Sequence, residues 1–441
     1  LISAEYCEKK KLFAWGEQRL SSTTNTTSGE VKNYSWAILA ILTLAQLFMS
    51  MGAYAWGPLA PFLRDEFNIS RTQIGAITSA LYFASVAVAI PSGILVDRLS
   101  ARFMLILCLV IMGVPFTALA LANNYLVFLV IAAVSGLGYG IINQVSTKGI
   151  MYWFTTKTRA TAMGIKQTGV TTGGAIVAVL LPALTFTYGW RTAVLVVGIL
   201  MLGMAAASLI FYRERPAAAA PPVSASKGNP SSKKSQKENL RRVLTNPNLI
   251  IICLLTPLMA WAQTSISSFL VLYLEETLNF SVGLAGSCLT AAMIAGTAGR
   301  VGWGVLSDRV FHGDRYKPTV ILTIIAFTGA LGTAFLAPGA PVWLPFLYSI
   351  LMGATFIGWN ALLITLAAEL AGTALAGTVM GILITIGWSG IIIGPPVFGY
   401  IADNAGYFWG WLMLAAFGII NALGFIYLTL RNRKSAPSVT A

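Results

Sequence analysis

Three basic side chains, Lys148, Lys166 and Arg300, stand inside stretches that are otherwise apolar. Placing a Lys or Arg near the middle of a bilayer costs about 2.5–3.5 kcal/mol on insertion scales, so such a residue normally faces a partner or a polar cavity. The chain offers no acidic partner at that depth. All 15 Asp and Glu residues lie in the N-terminal tail, in a central polar segment, in the gaps between apolar stretches or at stretch ends. An anion from outside the chain can supply the missing charge. A small anion such as a carboxylate is therefore the expected cargo, with Lys166 and Arg300 as cationic contacts and Gln167 beside them. Lys166 follows Arg159 by seven residues, about 10 Å along a helix, and Arg300 precedes Asp308 by eight, about 12 Å. Lys148 lies nearer a stretch end, where it can snorkel to the surface, and is a further candidate contact for the cargo. The bland reading, that these cations bond backbone carbonyls, stays open beside the anion reading.

The elements that must position these residues follow from composition. The chain has 441 residues, mean hydropathy +0.75, 56% hydrophobic residues and 10% charged ones. Soluble domains carry about 25% charged residues, so an ordinary soluble enzyme is excluded. Twelve apolar runs, each near the roughly 20 residues that cross a bilayer, cover 34–63, 72–96, 102–122, 124–150, 159–187 and 190–212, then 248–273, 281–306, 317–337, 342–368, 374–401 and 407–430. The fold expected is an all-α membrane protein with twelve transmembrane helices. Residues 1–33 read as a disordered cytoplasmic tail without a signal peptide. Residues 213–247, with Ala217-Ala218-Ala219-Ala220-Pro221-Pro222 and Lys233-Lys234, read as a cytoplasmic linker, and 431–441 as a second cytoplasmic tail.

The net charge of +14 does not point to nucleic acid, because the basic residues cluster in the polar gaps. Arg64, Arg71 and Arg191 fall on one side; apart from the three cations inside the runs, all other Lys and Arg residues fall on the other. By the positive-inside rule both termini and the linker are cytoplasmic. Cys108, Cys253 and Cys288 sit in apolar runs and, like Cys7, lack metal-ligand spacing. No cofactor or metal is expected. The chain shows no nucleotide-binding glycine loop and no nucleophile–base spacing.

A hexamer recurs. Gly93-Ile94-Leu95-Val96-Asp97-Arg98 ends the second run, and Gly304-Val305-Leu306-Ser307-Asp308-Arg309 ends the eighth. Met163-Gly164-Ile165 recurs as Met380-Gly381-Ile382, and at the same offset Gly136, Asn143, Thr168 and Gly173 meet Gly353, Asn360, Thr385 and Gly390. Two homologous halves that move against each other are the expected architecture. Asp97 and Asp308, with Arg98 and Arg309, are candidates for a gate. A carboxylate at a helix end can accept hydrogen bonds from the first N–H groups of a neighbouring helix or pair with Arg159 or Lys157. Glu369 is expected to pair with Arg309 or Arg315 in a second lock.

Over residues 34–430 the chain resembles the major facilitator superfamily. Gly93, Leu95, Asp97 and Arg98 match that family's Gly-x-Leu-x-Asp-Arg-x-Gly-Arg-Arg signature; Ser100 and Ala101 depart from it. Trp153-Phe154 to Arg159 and Gly189-Trp190-Arg191 resemble the family's entries into helices 5 and 6. The resemblance implies two pseudo-symmetric six-helix bundles, 34–212 and 248–430. It also implies alternating access and a cavity lined mainly by helices 1, 4, 7 and 10. On those helices Gln46, Tyr54, Asn143, Gln144, Gln263, Thr264, Trp359 and Asn360 are candidate contacts. Gly390, Gly394, Pro395, Pro396 and Gly399 in the eleventh run resemble the glycine-proline motif that the family's antiporters carry in helix 5, but here helix 5 has Gly173-Gly174 without a proline; the antiporters' helix-4 arginine is missing, with Ala132 in its place.

The reading is a secondary permease of a small organic anion, a multi-pass monomer in a bacterial inner membrane. Its partners would be the lipid bilayer, the substrate and a co-transported proton or ion. An exporter of sugars or amphipathic drugs in the same fold is the alternative, and a non-transporting receptor or sensor ranks third.

Overall fold

The computed structural model describes residues 34–214 and 246–435. The terminal tails and most of the central linker lie outside them. Among the described residues the structure is almost wholly helical. In the first half, α1 covers 34–53, α2 Trp56–Phe67, α3 Arg71–Arg98, α4 Ala101–Ala118, α5 Tyr125–Trp153 and α6 Thr156–Phe211. In the second, α7 covers Pro247–Leu278, α8 Val282–Arg309, α9 Tyr316–Ala334, α10 Trp343–Met352, α11 Asn360–Asn404 and α12 Tyr407–Ser435. Eleven helical stretches are long and apolar enough to span a bilayer. One of them, Thr161–Phe211, contains a reversal at Gly189, where φ is 83°. That reversal makes it two crossings and gives the twelve that the apolar runs predict. α1 and α2 share the first crossing, which breaks at Tyr54-Ala55.

The helix ends are written into the sequence. Ser70 and Gln73 form a reciprocal capping box at the start of α3, which satisfies two otherwise orphaned N–H donors. Ser281 caps α8, Asn124 caps α5 and Asn246 caps α7 ahead of Pro247. α2 and α7 end on left-handed asparagines, Asn68 with φ 49° and Asn279 with φ 54°. Asn68-Ile69-Ser70 and Asn279-Phe280-Ser281 therefore make the same turn in both halves, at the spacing that separates Asp97 from Asp308.

Packing repeats the duplication. A methyl group on Gly136 would overlap the Leu81 carbonyl, and one on Gly353 would overlap the Ala292 carbonyl. These are corresponding contacts within each half. Small residues permit such approach in lipid, where no hydrophobic force drives helices together. Between halves, Gly75 of α3 lies against the Pro395 carbonyl of α11, and Gly286 of α8 against the Ala178 carbonyl of α6. These two seams exchange under the pseudo-twofold.

The ends of α3, α5 and α8 nearest the linker define a linker face; the turns at 68–70 and 279–281 define the far face. Close contacts between the bundles concentrate toward the far face among the described residues. Gly57 abuts the Ser267 carbonyl, Gly399 abuts the Arg71 carbonyl, and the Thr78 and Ser268 hydroxyls are 3.0 Å apart.

Candidate functional site

Polar side chains converge where the bundles meet, near mid-depth. Tyr54 sits at the break in the first crossing. From there its hydroxyl accepts a hydrogen bond from Gln263 Nε2 of α7 at 3.4 Å. Gln263 Oε1 in turn accepts from Trp359 Nε1 at 3.1 Å and from Asn360 Nδ2 at 3.5 Å. On the other side, Tyr54, Tyr82 and Tyr139 stand close together, with Ser50 beside Tyr139. The Tyr82 and Tyr139 rings meet edge to face at 5.8 Å, and Tyr82 reaches across to Trp388 of α11 at 6.5 Å. Hydrogen bonds through Gln263 and ring contacts through Tyr82 thus link Tyr54, α3 and α5 to the second bundle.

Arg300 of α8 stands against this cluster. Its titratable neighbours are Tyr54, Tyr139 and Tyr82, and no carboxylate is among them. Its Nε donates to the Ile357 carbonyl at 3.2 Å. That carbonyl is available because Gly353–Ile357 forms a π-turn, in which Gly358 N–H bonds back to Gly353 O at 3.1 Å. A π-turn shifts the hydrogen-bond register and frees carbonyls from the α-ladder. Trp303 Nε1 takes another of them, Ala354 O, at 2.8 Å. The backbone thus clamps one edge of the guanidinium. The side chain is only partly covered, and the guanidinium stands beside Tyr54, Tyr82 and Tyr139. A planar fork of N–H donors matches the two oxygens of a carboxylate, sulfonate or phosphate.

Lys166 is 4% exposed, and its Nζ donates to Asn143 Oδ1 at 2.9 Å. Asn143 is one turn beyond Tyr139 on the same face of α5, so this pair lies one level toward the linker face. Gln167 is exposed on the adjoining face of α6. Lys148 goes elsewhere. Its Nζ donates to the Val96 carbonyl and, at 3.0 Å, to the Leu99 carbonyl, so its charge caps the C-terminal end of α3.

The residues named for a gate lie at the linker face. Asp308 pairs with Arg315 at 2.6 Å, and Glu369 pairs with Arg315 at 3.1 Å. Ser307 Oγ accepts from Arg315 Nη1 at 3.0 Å. Burial alone would disfavour the Arg315 charge; the bonds to Asp308 and Glu369 outweigh it and hold its pKa above the ordinary arginine value. All four residues belong to the second bundle. Arg159 donates to the Met151 and Phe154 carbonyls at 3.2 and 3.3 Å, within the first bundle. Arg98 and Arg309 are exposed at the ends of α3 and α8, and the Asp97 side chain lies outside the described residues.

An ion cluster that sequence reasoning missed ties the bundles at the far face. Glu276 of α7 pairs with Arg64 of α2 and, at 2.7 Å, with Arg71 of α3. It also accepts from the Tyr407 hydroxyl at 2.8 Å. Asp403 of α11 accepts from the backbone N–H groups of Arg71 and Thr72 at 3.0 and 2.8 Å. It thereby caps the start of a helix in the opposite bundle. Arg64 and Arg71 had shown themselves only as basic residues on the sparsely charged side.

Residues 42–395 match the family model described as Major Facilitator Superfamily. The chain belongs to the major facilitator superfamily. It is a multi-pass secondary transporter of that superfamily, not an enzyme. A protein of Cupriavidus necator described as "Probable sulfoacetate transporter SauU" is 26% identical over 385 residues, covering 84% of this chain and 87% of that one. The "Hexuronate transporter" of Bacillus subtilis is 25% identical over 394 residues, 86% of this chain and 90% of that one. Among solved structures, a bacterial homologue of the human lysosomal transporter Spinster, in an inward-facing and unoccupied conformation, superposes with TM-score 0.79 at 18% identity. It covers 92% of this chain and 99% of its own. That likeness carries the superfamily fold of two six-helix bundles.

Proposed function

We propose that this superfamily member carries a small organic anion, with Arg300 as the principal contact and the Tyr54, Tyr82 and Tyr139 hydroxyls around it. One observation carries the reading. A guanidinium stands between the bundles among hydroxyls and carbonyls, with no carboxylate beside it among the described residues. An uncompensated charge in a low-dielectric site is costly, and an anionic cargo relieves that cost when it binds. Relatives described as moving sulfoacetate and hexuronate carry acidic cargo and agree with this chemistry. The charge distribution along the chain supports a bacterial inner-membrane protein with the linker face in the cytoplasm. The far-face closure then makes this the state from which cargo is exchanged with the cytoplasm. Gating at the linker face falls to Asp97, Arg98, Arg159, Asp308, Arg309 and Glu369, whose described ion pairs and hydrogen bonds stay within one bundle here and are free to re-pair when that face closes.

The test is a thermal-stability screen of the purified protein against carboxylates, sulfonates, sugar phosphates, neutral sugars and amphipathic dyes. Stabilisation by acids alone, lost in Arg300→Gln, supports the reading. Stabilisation by neutral sugars or dyes, with Arg300→Gln indifferent, selects the alternative exporter.

A further inference from the structure

Two cations, not one, sit on the paired helices α6 and α8 where the bundles meet, and their spacing constrains the cargo. Tyr139, beside Arg300, and Asn143, which holds Lys166, are four residues apart on one face of α5. That is about 6 Å of helix rise. A second pair of helices gives the same ordering. The Thr297 hydroxyl of α8 bonds to Thr171 of α6, and Thr290 Oγ1 bonds to the Ala175 carbonyl at 3.0 Å, so these antiparallel helices are tied in register. From Thr297 and Thr171, Arg300 is three residues on and Lys166 five residues back. Both steps lead toward the linker face, by about 4.5 Å and about 7.5 Å. Long helical side chains lean toward their own helix N-terminus, so the two charged ends diverge, Arg300 toward the tyrosines and Lys166 toward the linker face.

Lys166 is 4% exposed, and its ammonium, with three donors, has the neutral Asn143 amide as its hydrogen-bond partner among the described residues. A monoanion on Arg300 would leave this second charge uncompensated one helical turn away. A cargo with two acid groups neutralises both. Resting on the anion reading above, we propose that the site takes a short dianion. One acid group sits in the Arg300 fork and the other on Lys166 and Asn143, with two to four carbons spanning the gap.

The full-length protein in detergent tests this by competitive binding. Acetate is compared with oxalate, malonate, succinate and glutarate at matched ionic strength and at a pH where every acid is ionised. The best dianion should bind at least tenfold more tightly than acetate. Lys166→Gln should erase that advantage. Asn143→Asp, which gives Lys166 an internal counter-charge, should erase it too and guards against a folding failure in the first variant. Acetate binding as tightly as every dianion, or a dianion advantage that survives both substitutions, overturns the proposal while leaving the anion reading standing. Binding of no acid at all, with neutral solutes bound instead, overturns both.

Discussion

Asp403, on the last turn of α11, accepts two hydrogen bonds from Thr72, on the first turn of α3. They measure 2.8 Å from the backbone N–H and 2.7 Å from the hydroxyl. A carboxylate from one bundle thus satisfies the helix end of the other, where the helix dipole also favours it. That contact cannot outlast separation of the bundles at the far face. Asp403→Asn keeps the shape and removes the charge. Its side chain is 20% exposed, so solvent screening limits the effect to about 1 kcal/mol, roughly a fivefold shift toward the far-face-open state. Spin-label distances across that face should show the open population rise, and an unchanged distribution would mean that Asp403 is not part of the closure.

Glu276 should matter more, because it joins Arg64, Arg71 and Tyr407 at once. Glu276→Gln leaves two arginines facing each other. The expected outcome is a larger shift than in Asp403→Asn, seen as faster labelling of a cysteine placed on the cavity side of α7. Labelling no faster than in the Asp403 variant would contradict the central place given to Glu276.

The glycine seams give a steric test. Gly75→Val puts branched carbon into the Pro395 carbonyl, whereas Gly93→Val meets nothing within 4 Å. Backbone cannot yield as a flexible side chain can. Gly75→Val should express and reach the membrane but lose transport by at least tenfold, while Gly93→Val transports at the wild-type rate. Equal activity in the two variants would show that transport does not depend on the close approach at this seam.

Lys148 offers a control for charge near the site. Lys148→Met should lower the melting temperature through loss of its bonds to the Val96 and Leu99 carbonyls. Charged hydrogen bonds of this kind contribute about 1.5–3 kcal/mol. Substrate affinity should stay within twofold of wild type. A tenfold loss of affinity would return Lys148 to the binding surface.

Most of the architecture was legible because hydrophobic length and end-capping act locally. The apolar run 72–96 became Arg71–Arg98 and 281–306 became Val282–Arg309, each capped by a serine and extended at its C-terminal end through the Asp-Arg pair. The runs 159–187 and 190–212 abut directly because Gly189 takes a positive φ that closes the turn without a loop. Hydropathy was silent on the π-turn at Gly353–Ile357 and on the break at Tyr54, since neither changes composition. Lys166 and Arg300 were found by the rarity of charge in apolar runs. Tyr82 and Tyr139 were not, because a tyrosine ring counts as apolar until its hydroxyl has a partner. The far-face cluster escaped for a different reason. Arg71 and Glu276 are 205 positions apart, and a single sequence carries no local signal for such a pair. Matching charges at span ends on one side were the only clue.

The most direct test is uptake of a radiolabelled short organic acid into proteoliposomes, wild type beside Arg300→Lys. Lysine keeps the charge but loses the fork and the Nε bond to Ile357. The account predicts saturable uptake of the acid, inhibited by other acids and not by neutral sugars, and reduced at least tenfold in Arg300→Lys with the protein still folded. Acid uptake that is unaffected by Arg300→Lys, or saturable uptake of neutral sugars alone, would contradict it.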